Sequence, residues 1–291
     1  MKPPPFVYHR PGDLEEALDT LAQVGSDGKI LAGGQSLVPL MSMRLAAPAH
    51  LVDINALSEL GDIQVGHDGV QVGATVRHAQ LERDEAAFAA QPLLRQALSH
   101  VAHPTIRNRG TSVGSLAHAD PAGELTAVLA LLGGTVTIRS KATERTVAAA
   151  EFFLGPLESA VRPDELATSA FFPALPPKTG TAWTEVSRRN GDYAVCGVGA
   201  LVTLDDDSRI GTARLGLISV GPTPVVVDLT DSLAGRPADA ATFTEAARRV
   251  EHTVDPEPDI HATAEYRRHL AGVLTSRALA DATQRAVEAT T

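Results

Sequence analysis

Two short stretches of small and polar residues could do chemistry here. The first, Ala32-Gly33-Gly34-Gln35-Ser36, interrupts the otherwise apolar run ILAGGQSLVPLM of residues 30–41. Glycine lets consecutive backbone amides turn inward and come close to an anion. Ser36 adds a hydroxyl donor, and a helix starting after it would add a favourable partial charge. The spacing is neither GxGxxG nor GxxxxGK followed by Ser or Thr, so neither a Rossmann fingerprint nor a Walker loop is supported. A tight turn that needs glycine for its dihedrals is the reading without a ligand.

The second stretch lies in PTIRNRGTSVGSLAHADPAGE, residues 104–124. Thr111, Ser112, Gly114 and Ser115 again offer amide and hydroxyl donors, with Arg107 and Arg109 just upstream. This region reads as a long loop, and long loops in compact domains are usually functional. Two donor-rich loops suit a ligand with two phosphates, and a dinucleotide cofactor is the natural candidate.

Other combinations fit chemistry less well. His100, His103 and His118 have no usual metal-ligand spacing and no cysteine to join them. Ser115, His118 and Asp120 name a hydrolase triad, but no GxSxG elbow accompanies them. Cys196 is the only cysteine and reads as a small buried apolar residue. Asp205–Asp207 reads as a solvated turn rather than a calcium site. Arg188 and Arg189 could face a partner, a phosphate or only solvent.

The elements that must position the loops can be read from periodicity. Leu14, Ala17, Leu18 and Leu21 predict a helix capped by Asp13. Residues 29–32 and 51–54 read as short buried strands, with a helix beginning after Ser36 and carrying Pro39 in its first turn. Residues 63–65 and 69–74 read as antiparallel strands around a turn at 67–69, followed by helices over 77–103. Leu125–Leu132 predicts a helix and 135–139 a strand. The proline-rich 172–180 reads as a linker, 198–204 and 213–220 as strands, and the region after Ala241 as helical.

The chain has 291 residues, 44% apolar and 21% charged, with a formal net charge of −10. That length supports two domains, and the acidity gives no footprint for nucleic acid or anionic membrane. No stretch approaches the roughly 18 apolar residues of a membrane span. The opening MKPPPFVYHRPGD has no apolar signal-peptide region, so the expectation is a cytoplasmic chain.

Beyond the glycine motifs, KPPPFVYHRPGDLEEAL, LVDIN, IRNRGT, GSLAHADPAGE, EVSRRNGDYAV and EYRRHLAGVLTSRAL span nearly the whole chain. Together with AGGQS and TSVGS they resemble the FAD-binding medium subunit of molybdenum hydroxylases, the family of carbon monoxide dehydrogenase and xanthine dehydrogenase. The resemblance implies an α+β fold: a two-part FAD-binding domain of the vanillyl-alcohol-oxidase (PCMH) type over 1–176, with subdomains about 1–56 and 57–176, and a C-terminal α+β domain over 177–291.

It also implies FAD as cofactor. Ala32, Gly33, Gly34, Gln35 and Ser36 would hold the pyrophosphate, with Lys29, Ile30 and Leu31 leading in. Thr111, Gly114 and Ser115 would complete the cradle, Glu124 would lie near the adenosine part, and Tyr193 would cover the isoalloxazine. Substrate oxidation would occur on a large molybdenum–pterin subunit, with [2Fe-2S] clusters on a small one, in a dimer of heterotrimers. No acid or base on this chain would serve substrate chemistry; its role would be electron exit. A stand-alone FAD-dependent oxidoreductase of the same fold, or a binding module that has lost FAD, are the alternatives. One departure stands out: the family's Thr-Ile-Gly-Gly is Thr111-Ser112-Val113-Gly114 here, and a β-branched residue resists a positive φ or a close backbone approach.

Overall fold

The computed structural model describes residues 2–289. Three parallel strands, Val7–His9, Gly28–Leu31 and His50–Asp53, form the first sheet, with His50–Asp53 in the centre. The helix Leu14–Val24 crosses between the first two strands. Asp13 caps it by accepting from the Glu16 amide, and Ala17, Leu18 and Leu21 face the core as their spacing predicts.

A five-stranded antiparallel sheet follows, in the order Ile63–Val65, Gly69–Gly73, Leu166–Pro173, Thr135–Arg139, Glu144–Ala148. Between Gly73 and Thr135 the chain is helical. The expected helical stretch over 77–103 is divided into His78–Arg83, Glu85–Ala90 and Pro92–Leu98, broken at Asp84 and Gln91, each of which caps its successor. The expected loop over 103–124 holds two short helices, Pro104–Arg107 and Ser112–His118.

The helix Glu124–Leu132 is buried almost all round. An apolar helix without a polar face belongs between layers, and this one joins two cores. On one side are Leu94, Leu98, Leu116, Phe152 and Phe172. On the other is an antiparallel sheet of Thr179–Ser187, Ala194–Leu204, Ile210–Ile218 and Val225–Asp228. Leu131 rests over Gly199 and Gly216 of that sheet. Its far face packs on the helices Ala240–Thr253 and Ala264–Glu288, burying Phe243, Val250, Leu274 and Leu279 in a second core.

The proline-rich 172–180 is shorter as a connection than its composition suggests. Pro173 ends one strand and Thr179 starts the next. Asp205 ties the acidic turn by accepting from the amides of Asp207 and Arg209, closing the hairpin between Ala194–Leu204 and Ile210–Ile218.

Candidate cofactor site

The two glycine loops meet. Ala32–Ser36 leaves the strand Gly28–Leu31 and enters the helix Leu37–Ser42. Gly33 lies directly against the second loop: a Cβ built there would stand 2.5 Å from the Arg109 carbonyl oxygen, 2.7 Å from Gly110 Cα and 2.9 Å from the Thr111 nitrogen. Only a residue without a side chain permits that approach. Gly34, with φ of 71°, turns the chain into the helix, and its carbonyl accepts from the Val38 amide. Gln35 folds back so that Nε2 donates to the Gly33 carbonyl at 3.0 Å.

The second loop is clamped from behind. Ser112 N donates to Val76 O and His78 N to Gly110 O, flanking a bridge between Arg77 and Thr111. The buried His78 ring lies behind Gly110 and within 3.4 Å of Ser112 Oγ. Burial, with help from the Arg107 charge, pushes its pKa down to about 4, so the ring is neutral.

What remains on the facing side is a set of donors spent on no protein acceptor. Among the described residues, the amides of Gly33 through Leu37 and those of Thr111, Val113 and Gly114 donate to no protein carbonyl or side chain. The Thr111 hydroxyl is buried and also lacks a partner. Buried polar groups are normally satisfied, so an acceptor-rich ligand fits this place. Gly114 belongs to the same surface: a Cβ there would clash with Thr111 Oγ1 and stand 3.8 Å from the Ala32 Cβ. The helices that follow have only six and seven residues, so loop amides rather than helix dipoles carry the electrostatics. The pyrophosphate of a dinucleotide matches this donor set.

Val113 takes a conformation that needs no glycine. It lies within the helix Ser112–His118, outside the positive-φ residues, with its side chain 1% exposed in the first core. The glycine requirement falls one residue later, on Gly114.

The other candidates divide. Ile30 and Ala32 pack against the first core, while Lys29 is exposed and Leu31 half-buried. Ser36 and Ser115 are half-buried with hydroxyls that make no protein hydrogen bond. Glu124 is buried at the start of its helix. Burial first, then the neighbouring Glu185 and Asp120 carboxylates, raise it to about 8. Tyr193 is 70% exposed. The protein around it, with the Asp120 and Glu124 carboxyls nearby, raises its phenol above the usual value. Glu124 and Tyr193 therefore share one acidic neighbourhood.

The rejected combinations do not assemble. His100 Nδ1 is 3.6 Å from Glu185, which also accepts from the Trp183 indole, and the His103 ring lies against Gly191. Asp120 accepts from the Ala122 amide rather than a histidine. No cluster of three metal-ligating side chains occurs among the described residues. Cys196 is fully buried, and burial pushes its thiol up to about 12. No helix of the described residues is long and apolar enough to cross a membrane.

Comparison with known proteins shows the family. Residues 4–175 match the family described as FAD binding domain in molybdopterin dehydrogenase, and residues 181–282 match the CO dehydrogenase flavoprotein C-terminal domain. This chain belongs to the FAD-binding medium subunits of molybdenum hydroxylases. It is 40% identical to caffeine dehydrogenase subunit beta of Pseudomonas sp. (strain CBB1), covering 99% of this chain and 98% of that one. It is 39% identical to the 6-hydroxypseudooxynicotine dehydrogenase complex subunit alpha of Paenarthrobacter nicotinovorans, covering 98% and 97%. Among solved structures, quinoline 2-oxidoreductase from Pseudomonas putida 86 superposes with a TM-score of 0.94 at 36% identity, covering 98% and 99%. The medium subunit is thus an α+β chain with an FAD-binding domain and a C-terminal domain, and it is an oxidoreductase component.

Sequence reasoning did not single out Asn55, Arg77 or His78. Asn55 donates to the Leu31 and Ala32 carbonyls and Arg77 to the Arg109 carbonyl, contacts for which no spacing rule exists. His78 stands in the sequence as one histidine among ten.

Proposed function

We propose that this subunit holds FAD with its pyrophosphate across Ala32–Ser36 and Thr111–Ser115, and passes electrons from an iron–sulfur partner to an external acceptor. The observation that carries this is the contact of the two loops at Gly33, with both facing sets of amides unspent. FAD supplies the redox chemistry. The chain's own residues bind and orient it: loop amides and the Thr111 hydroxyl take the phosphates, and Gly33 and Gly114 clear the approach. The exposed Tyr193 shields one face of the isoalloxazine. Glu124, buried at the start of its helix, lies near the adenosine part in this reading.

The remaining centres of the assembly would lie on two partners, a large molybdenum–pterin chain and a small [2Fe-2S] chain, in two copies of each heterotrimer. Support comes from the relatives: caffeine dehydrogenase subunit beta and the 6-hydroxypseudooxynicotine complex subunit are named as parts of multi-subunit enzymes and match over nearly their whole length. This favours a subunit over a stand-alone flavoenzyme. The connection at 174–178 would divide the FAD-binding domain from the C-terminal one. A cytoplasmic location agrees with the one free, buried Cys196.

The test is the visible spectrum of the chain, alone and co-expressed with its partners, with the released cofactor identified by mass. One FAD retained per chain after desalting supports the reading. A colourless assembly that takes up no added FAD overturns it. Mass photometry of the assembly tests the two-heterotrimer stoichiometry.

A further inference from the structure

The two loops are tied to each other by side chains outside both of them. Asn55 follows the central strand His50–Asp53 by two residues. Its Nδ2 donates to the Ala32 carbonyl at 2.8 Å, to the Leu31 carbonyl at 3.3 Å and to Asp53 Oδ1 at 2.5 Å. Its Oδ1 accepts from Arg77 Nη2 at 2.5 Å. Three acceptors around the nitrogen and a guanidinium at the oxygen leave one orientation for the carboxamide. The second arm of Arg77, Nη1, donates to the Arg109 carbonyl at 2.5 Å. A continuous path therefore runs from the Ala32 carbonyl through Asn55 and Arg77 to the Arg109 carbonyl.

Both ends of that path lie where the loops meet. Arg109 O is the atom nearest the Cβ position of Gly33. A trans peptide points C=O and the following N–H in opposite directions. Holding the Ala32 carbonyl back on Asn55 therefore aims the Gly33 amide away from it. Asp53 holds Asn55 in turn, accepting also from the Asn55 amide at 2.8 Å and from the Tyr8 hydroxyl.

We propose that Asn55 and Arg77 are positioning residues for the cofactor: a single two-residue bridge that sets the spacing of the phosphate loops and the direction of the Gly33 amide. FAD affinity then depends on two side chains that act only through backbone carbonyls. The inference rests on the FAD reading above.

The experiment uses the full assembly after removal of its flavin. FAD is titrated into the wild type, Asn55→Ala, Arg77→Ala, the double variant and Arg77→Lys, with Kd read from flavin fluorescence and Tm from each flavin-free form. Arg145→Met is the control. Arg145 bonds Glu165 from the edge strand Glu144–Ala148, so its loss destabilises the chain away from the loops.

Each single alanine variant is expected to raise Kd about five- to fiftyfold, the range for losing a part-buried hydrogen bond to a charged or backbone group. The double variant should be no more than about threefold weaker than the worse single one, because the two act as one unit. Arg77→Lys should stay near Arg77→Ala, since one ammonium does not replace two arms held by different acceptors. Arg145→Met should lower Tm and leave Kd alone. Where Asn55→Ala does not fold, Asn55→Ser and the half-exposed Arg77 series decide. Unchanged Kd in the Arg77 variants, multiplying effects in the double variant, or equal weakening by Arg145→Met overturns the bridge while wild-type binding upholds the FAD reading. A wild type that binds no FAD overturns both.

Discussion

A Cβ on Gly33 would stand 2.5 Å from the carbonyl oxygen of Arg109, 76 residues further along the chain. The first glycine of the AGGQS motif is thus a contact residue between loops as well as a turn residue. Gly33→Ala must push the loops apart, and overpacking of this kind costs about 1–3 kcal/mol. The expected result is a lower Tm and an FAD Kd raised more than tenfold. Isothermal titration of the flavin-free protein checks it, and an unchanged Kd would show that FAD does not need these loops in contact.

Val113→Gly restores the glycine pair of the family's motif and is expected to make the protein less stable. Val113 is 1% exposed inside a helix. Replacing it loses burial and adds backbone entropy, about 3 kcal/mol together. FAD affinity should change less than threefold, because Gly114 already supplies the close approach. Urea denaturation beside flavin titration measures both. A tighter Kd without loss of stability would mean that Val113 does obstruct the cofactor.

How far the sequence reveals this structure depends on the range of the interaction involved. The helix Leu14–Val24 was legible from Asp13 and a three-to-four-residue apolar spacing, because cap and stripe are local. The two loops were legible as donor-rich turns because glycine and hydroxyl residues cluster in each. The close contact of Gly33 with Arg109 was not legible, since it depends on the parallel sheet, on the bridge of Arg77 with Thr111 and on the Asn55 and Arg77 side chains, all remote in sequence from Gly33. The helix Ser112–His118 was hidden for a similar reason. Gly, Ser and Thr are weak helix formers, and it is burial of Ser112, Val113 and Leu116 that holds it. The family resemblance singled out Tyr193 and Glu124, which no local spacing marks; the fold leaves Tyr193 exposed and buries Glu124 at the start of its helix.

Tyr193→Ala should separate binding from reactivity. The side chain is 70% exposed, so Tm should shift by no more than the small amount usual for surface substitutions, about 0.5 kcal/mol in stability. FAD affinity should stay within a few-fold. The reduced protein should reoxidise in air at least about threefold faster, because the flavin face loses its cover, and Tyr193→Phe should restore the slow rate. Stopped-flow absorbance reads this directly. Identical reoxidation in all three proteins would remove Tyr193 from the site.

His78 and Glu124 give the flavin-free chain opposing pH dependences. Stability rises with pH wherever the unfolded chain binds more protons than the folded one. The His78 ring, held down to about 4 by burial and Arg107, is neutral in the fold but protonated when unfolded below its usual 6.5. Its contribution is therefore lost as pH falls from 6.5 to 4. Glu124, raised to about 8 by burial and by Glu185 and Asp120, stays protonated in the fold while the unfolded carboxyl ionises above 4.5. Its contribution is present below 4.5 and lost as pH rises to 8. Between 4.5 and 6.5 the two slopes, each about 1.4 kcal/mol per pH unit, oppose each other. From 6.5 to 8 only the decline due to Glu124 continues. Glu124→Gln should therefore flatten the decline above pH 6.5 and make the protein more stable than wild type at pH 8. His78→Asn should uncover a steady fall from pH 4.5 to 8. Urea denaturation across that range measures both, and parallel curves for wild type and Glu124→Gln would show that this carboxyl ionises normally in the fold.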